Sequence, residues 1–374
     1  MKKKFLNNKR LYFIDAVRAF AILMMLQGHF IDTLLNINYR DQTNLAFNLW
    51  QYFRGITAPT FFTISGLIFT FLLIKSSDSK TTNVRIKKGV KRGFMLIVIG
   101  YLLRFPFTRL FTQNIGTYFM VIDVLQCIGL SLLLIVFIFK ITNHKIKYLS
   151  VVMLMTGTLI FMFEPCYRNY SASNFPLLFA NYLTKANGSV FTIIPWFGYM
   201  AYGAFIASIF YNYLKHPKFK KMIIFFFILV GIFLVISSTW LLNYIFNLTN
   251  IELFYEVANY NYLFIRLGNV LVIFGLFYAF ERFLKHPLVS KIGQKTLSIY
   301  IIHFIILYGS FTGYGLNRMI GKELNPKEVI FGAILFLLIM SYISINVVNL
   351  KVYLNRKLMS LLNKIKLFIN QIGN

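Results

Sequence analysis

Apolar residues gather into ten long runs separated by short polar stretches, and this alternation is the strongest signal in the chain. With a window of about 19 residues, suited to a bilayer-crossing helix, the runs lie near residues 11–36, 52–75, 89–110, 118–140, 147–165, 190–214, 221–247, 260–284, 294–312 and 328–350. A lone strand would leave its backbone polar groups unsatisfied in lipid, so the runs predict helices. The expected fold is all-α: a polytopic integral membrane protein of about ten transmembrane helices, forming one domain over residues 1–374. No internal repeat and no linker divides it. The stretch from Glu164 to Ser189 is long enough to form a small cap.

The first run, RLYFIDAVRAFAILMMLQGHFIDTLL, carries Asp15, Arg18, His29 and Asp32 although it is long enough to cross a bilayer. Ionisable groups are expensive in hydrocarbon and usually face a protein interior or a wet cavity. At about 100° and 1.5 Å per residue, the step from Arg18 to His29 returns to within about 20° of one helix face, about 16 Å further along. Asp15 lies about 60° from Arg18 on the same reckoning. One stripe therefore holds an acid, a cation and an imidazole at successive depths.

Composition agrees with the hydropathy. The chain is 58% hydrophobic and only 13% charged, with a mean hydropathy of +0.66, whereas a soluble domain has about 25% charged residues. Lysine and arginine total 39 against 11 acids. The cations concentrate in alternate segments: the N-terminus, 80–92, 140–147, 215–221, 282–295 and the tail from Lys351. The intervening loops hold Asp41, Glu164, Glu252, Glu256, Glu323 and Glu328 instead. That bias places both termini in the cytoplasm and accounts for the net charge without nucleic acid. The basic start leads into a run interrupted by Asp15 and Arg18 with no small-residue cleavage site after it, so it reads as a retained first span. Cys127 and Cys166 make no disulfide framework.

Depth along each run sorts the other ionisable groups. Arg18 and His303 fall at similar depths from the inner ends of their runs, with Asp15 beneath. His29, Arg54, Arg104, Asp123 and Arg266 form an outer group. Structural readings stand beside the functional ones. Asp15 and Arg18 can neutralise each other within a helix, Arg104 can snorkel to headgroups, Asp123 can partner Arg54 or Arg104, and His303 can be a hydrogen-bonded core residue. Histidines and acids are too scattered for a metal site, and no phosphate-binding loop or serine-hydrolase elbow is present.

The segments RLYFIDAVRAFAILMMLQGH, RGITAPTFFTISGLIF, VIDVLQCIGLSLLL, IPWFGYMAYGAFIA and GQKTLSIYIIHFIILYG occur in this order across nearly the whole length. Together they resemble the bacterial relatives of the heparan-α-glucosaminide N-acetyltransferase catalytic domain, within a transmembrane acyltransferase superfamily that also holds the acyltransferase-3 O-acyltransferases. The arginine, ten residues, histidine spacing of Arg18 and His29 is similar to the first-helix motif of that second group.

The resemblance implies a cell-membrane enzyme that takes an acetyl or other short acyl group from cytoplasmic acyl-CoA and passes it to a sugar amine or hydroxyl across the membrane. Its partners would be membrane lipid, acyl-CoA and a saccharide or glycolipid. Carried over by position, Arg18 would help hold the donor and His29 would serve at the acceptor side, while Arg54, Asp123, Gln126 and His303 match polar points of the family's helix motifs. Depth adds Asp15 to Arg18 and His303 on the donor side. Together with the depths above, His29, Asp123 and Arg54 are the expected catalytic set, with Arg54 or Arg104 supplying charge to the oxyanion. Arg104, Gln126 and Arg266 are expected to face the acceptor. The family's eukaryotic enzymes have a proposed acyl-accepting histidine in the loop after the first helix, but no histidine lies here between His29 and His144. The expectation is therefore a ternary complex with His29 as general base. The basic run 85–92, RIKKGVKR, suits CoA phosphates and anionic headgroups alike. A transporter or flippase lined by the same stripe is the alternative.

Overall fold

The computed structural model describes residues 10–76, 82–108 and 116–346. Among them the regular structure is helical, and the one extended contact is an isolated parallel bridge between Leu35 and Leu324. The helices are α1 (Tyr12–Leu34), α2 (Leu45–Lys75), α3 (Thr82–Arg104), α4 (Val124–Ile141), α5 (Ile146–Met162), α6 (Glu164–Arg168), α7 (Leu177–Leu183) and α8 (Ile193–Tyr213). They continue as α9 (Phe219–Thr249), α10 (Glu252–Asn259), α11 (Tyr262–Ala279), α12 (Glu281–Leu284), α13 (Pro287–Gln294), α14 (Thr296–Tyr308), α15 (Leu316–Met319) and α16 (Pro326–Asn346).

Seven of these, α1, α2, α4, α8, α9, α11 and α16, are long and apolar enough to cross a membrane. The protein is an all-α polytopic membrane protein. Every expected run falls on a helix, but α5 and α14 are shorter apolar helices of 17 and 13 residues, and α3 carries its cations inside the helix.

Three helix starts depart from the expected boundaries, two of them for local reasons. The side chain of Asn44 accepts from the N–H groups of Ala46 and Phe47, so α2 begins at Leu45 rather than near 52. Asp123 caps α4, which starts at Val124 rather than near 118. Asp123 accordingly sits at a helix N-terminus and not within the fourth span. The cluster Arg85–Arg92, expected in a loop, forms the first turns of α3.

Close backbone approach sets the packing of α2 on α8. A Cβ on Gly66 would run into the backbone of Met200, and one on Gly203 into the carbonyl of Thr63. Gly231 and Gly268 do the same for α9 against α11. Small residues are what let membrane helices touch at backbone distance. Each of these two contacts takes its glycines from two different helices, so no GxxxG spacing within one helix announces it.

Outward faces are apolar where lipid would lie. On α9 Phe225, Leu229, Phe233 and Ile236 are exposed, and on α16 Phe331, Leu335 and Leu338 are exposed. Apolar patches of that extent mark contact with something other than water.

The loops gather at two ends. At one, Asp15 binds Arg10 at 2.5 Å. Nearby, Glu281 accepts from the Phe13 N–H (3.2 Å) and from Lys220 (3.1 Å). The N-terminal segment and the basic segments near 220 and 282–295 therefore meet. At the other end the 164–189 stretch forms α6 and α7 and docks over the entry to α4. Asn181 donates to the Met120 carbonyl (2.9 Å), and the Ile122 N–H donates to Ser189 (3.1 Å).

Candidate functional site

Three neighbouring cavities follow α1 along its length. The innermost, about 290 Å³, is lined by Arg18, Arg92, Thr296 and Tyr300 among others. A central one of about 450 Å³ is lined by His29, Arg54, Arg266, Trp196 and Tyr300. The outer one, about 760 Å³, is lined by His29, Asp32, Arg54, Arg104, Asp123, Tyr308 and Arg318. The inner and central cavities share Phe61 and Tyr300 as wall residues. The central and outer ones share His29, Arg54, Val190 and Phe191. A further pocket of about 370 Å³, lined by Arg85, Lys88, Lys91 and Arg92, shares Phe69, Leu72 and Arg92 with the inner cavity.

Helical periodicity brings Arg18 and His29 onto this one side of α1. Arg18 donates to the Thr296 hydroxyl at 2.8 Å. Asp15 is turned away from the inner cavity and is held by Arg10, so neither an Arg18–Asp15 ion pair nor a shared cavity wall joins these two residues.

His29 is partly buried, and its Nδ1 lies 3.0 Å from the Tyr308 hydroxyl. His303 meets it edge-on, with ring centroids 5.3 Å apart. This corrects the expected pairing of His303 with Arg18. Helix α14 has only 13 residues, so His303, about two turns past its start, already lies beyond its middle.

The outer group assembles around two ion pairs. Arg54 binds Asp32 at 2.7 Å, and Arg40 approaches the same carboxylate at 3.5 Å. Arg54 also packs its stem against Gly28. Arg104 donates from Nε and Nη2 to a single oxygen of Asp123, at 3.1 and 2.9 Å, with both side chains only 11% exposed. The other Asp123 oxygen accepts from the Val124 N–H at 3.0 Å. Gln126 completes a capping box by accepting from the Asp123 N–H at 3.3 Å. Arg104 is thus buried and paired rather than extended to headgroups. Arg266 reaches the central cavity beside Gly55, with its guanidinium over the Tyr262 ring.

Asp32, Tyr300, Thr296 and Tyr308 were not among the expected site residues. Asp32 was legible as an acid in the first run. The others look like ordinary aromatic or helix-start residues until the cavities are seen. Two buried polar groups of central-cavity wall residues lack partners among the described residues, the Tyr300 hydroxyl and Trp196 Nε1. Gln126 Nε2 and both ring nitrogens of His303 lack them too, in residues outside that wall. Each such group costs about 1–3 kcal/mol, so the two in the cavity wall call for an explanation other than stability.

No curated protein and no solved structure matches the chain. A family model does, over residues 10–249, which takes in α1 to α9 and with them Arg18, His29, Arg54, Arg104, Asp123 and Gln126, while Arg266, Tyr300, His303 and Tyr308 lie beyond it. With well over half its length matched, the chain belongs to the heparan-alpha-glucosaminide N-acetyltransferase catalytic family, a family of membrane acetyltransferases.

Proposed function

We propose that the protein transfers an acetyl or other short acyl group from cytoplasmic acyl-CoA to an amine or hydroxyl of a saccharide or glycolipid at the outer face. The observation that carries this reading is the sharing of Phe61 and Tyr300 between the cavity holding Arg18 and the cavity holding His29. A donor anchored at one end of that row of cavities can present its acyl end at the other.

About ten spanning helices follow from the apolar runs, and both termini in the cytoplasm from the basic segments. The same orientation puts Arg85, Lys88, Lys91 and Arg92 on the donor side. There they and Arg18 neutralise the CoA phosphates. His303, fully buried and edge-on to both His29 and Tyr300, backs these two rings from outside the cavity walls.

Chemistry occurs where the central and outer cavities meet. His29 takes the proton of the attacking amine or hydroxyl, the role for which an imidazole is suited near neutrality. Tyr308 fixes the orientation of its ring. Arg54 supplies positive charge to the oxygen that becomes negative as the carbonyl is attacked. Asp123 has both oxygens engaged, so it serves catalysis by holding Arg104 in place. Arg104, Gln126 and Arg266 shape the acceptor side. A permeation route for transport has no specific observation in its favour.

The test uses the full chain in lipid vesicles with labelled acetyl-CoA on the cytoplasmic side and an amino sugar on the other. Label in the sugar supports the reading. Failure of the protein either to bind acetyl-CoA or to label any acceptor overturns it.

A further inference from the structure

Tyr300 is 3% exposed, yet its hydroxyl has no hydrogen-bond partner among the described residues. It lies on α14 one turn before His303, with the two rings edge-on at 5.0 Å. Its side chain forms part of both the inner and the central cavity wall. Phe61 is the other residue common to those two walls and brings no polar atom. Tyr300 is therefore the polar side chain at the constriction between the Arg18 and His29 cavities. Phenylalanine would fill the same space without an unpaired donor, so a packing role does not explain the hydroxyl.

The geometry points to Tyr300 as a catalytic residue whose hydroxyl donates a hydrogen bond to the carbonyl oxygen of the acyl thioester. The inference rests on the acyl-transfer reading above. A donor held by its phosphates near Arg18 must carry its thioester past this constriction to come within reach of His29. The acceptor nitrogen or oxygen then attacks the carbonyl carbon, a C–N or C–O bond forms, and the acceptor proton passes to His29. The carbonyl oxygen becomes an oxyanion and receives the Tyr300 O–H, which keeps its proton throughout. The C–S bond breaks as the carbonyl re-forms, and the departing thiolate takes the proton from His29. A donor aimed at charge that develops only in the transition state raises kcat rather than donor affinity.

The test is Tyr300→Phe in the full chain, reconstituted in lipid, with acetyl-CoA as donor. Removal of one such donor lowers kcat by about 10²–10³-fold, with the KM for acetyl-CoA unchanged within about twofold and the thermal midpoint equal or higher. Transfer by the wild-type protein with undiminished kcat in the variant overturns the role of Tyr300 and leaves the acyltransferase reading standing. A loss confined to KM, or a variant that unfolds at lower temperature, also overturns it, because either assigns the hydroxyl to binding or to structure. No acetyl-CoA-dependent transfer by the wild type removes the parent reading and this one together.

Discussion

Arg104 and Asp123 form the most enclosed ion pair of the outer cavity, with two guanidinium N–H groups converging on one carboxylate oxygen. The pair links the last residue of α3 to the N-cap of α4. It therefore closes the cavity wall and starts a helix at the same time.

Removing one member leaves the other charged and buried. Asp123→Ala should destabilise the protein by about 3–5 kcal/mol, with the loss of the cap adding to the effect. Thermal unfolding in detergent, followed by intrinsic fluorescence, measures the drop. A midpoint equal to that of the parent protein would mean that water reaches the pair.

Arg54 and Asp32 make a different kind of bridge. Both side chains are about 40% exposed, and pairs of that exposure contribute about 0–1 kcal/mol. Arg54→Ala should leave the unfolding midpoint nearly unchanged while lowering kcat by about 10²–10³-fold. Equal loss of stability and turnover would reassign Arg54 to the scaffold.

His29→Ala should cost about 10²–10⁴-fold in kcat, the range for a general base. Tyr308→Phe removes only the hydrogen bond that orients the ring, so its loss should be smaller than that of His29→Ala. Steady-state rates of label transfer in the two variants give the order, and the reverse order would point to Tyr308 as the base.

On the donor side, Arg18→Ala should raise the KM for acetyl-CoA and leave the KM for the acceptor alone. The two constants are read by varying one substrate at saturation of the other. An unchanged donor constant removes Arg18 from phosphate recognition.

Glycine at the α2–α8 contact is a further point of vulnerability. Gly203→Ala places a methyl group against the Thr63 carbonyl, and overpacking of this kind costs about 1–3 kcal/mol. A lower unfolding midpoint with normal membrane insertion is the expected result, and an unaltered midpoint would show that α2 and α8 can separate freely.

The helical fold was legible because lipid enforces a simple rule: long apolar runs must satisfy their own backbones. The Arg18 and His29 relationship was legible for a similar reason, since helical repeat alone sets their shared side. Sideways contact has no such rule. Depth along a run grouped His303 with Arg18, yet its ring rests on His29 because α14 is short and leans on α1. The cap at Asp123 had a sequence signal, the DVLQ pattern of a capping box, overshadowed by the apolar run in which it sits. Tyr300 and Tyr308 had none, because an aromatic on an apolar helix looks the same whether it turns to lipid or to an internal cavity.

The outer cavity differs from the other two in what builds it. Much of its wall comes from the connecting segments 105–108, 118–123 and 309–315 and from the four-residue α15, whereas the inner cavity is lined by helices. Turns tolerate insertion and substitution far better than packed helices. Under the proposed function, acceptor preference can therefore diversify among descendants of this scaffold by remodelling that rim, with the helix-built inner cavity inherited unchanged.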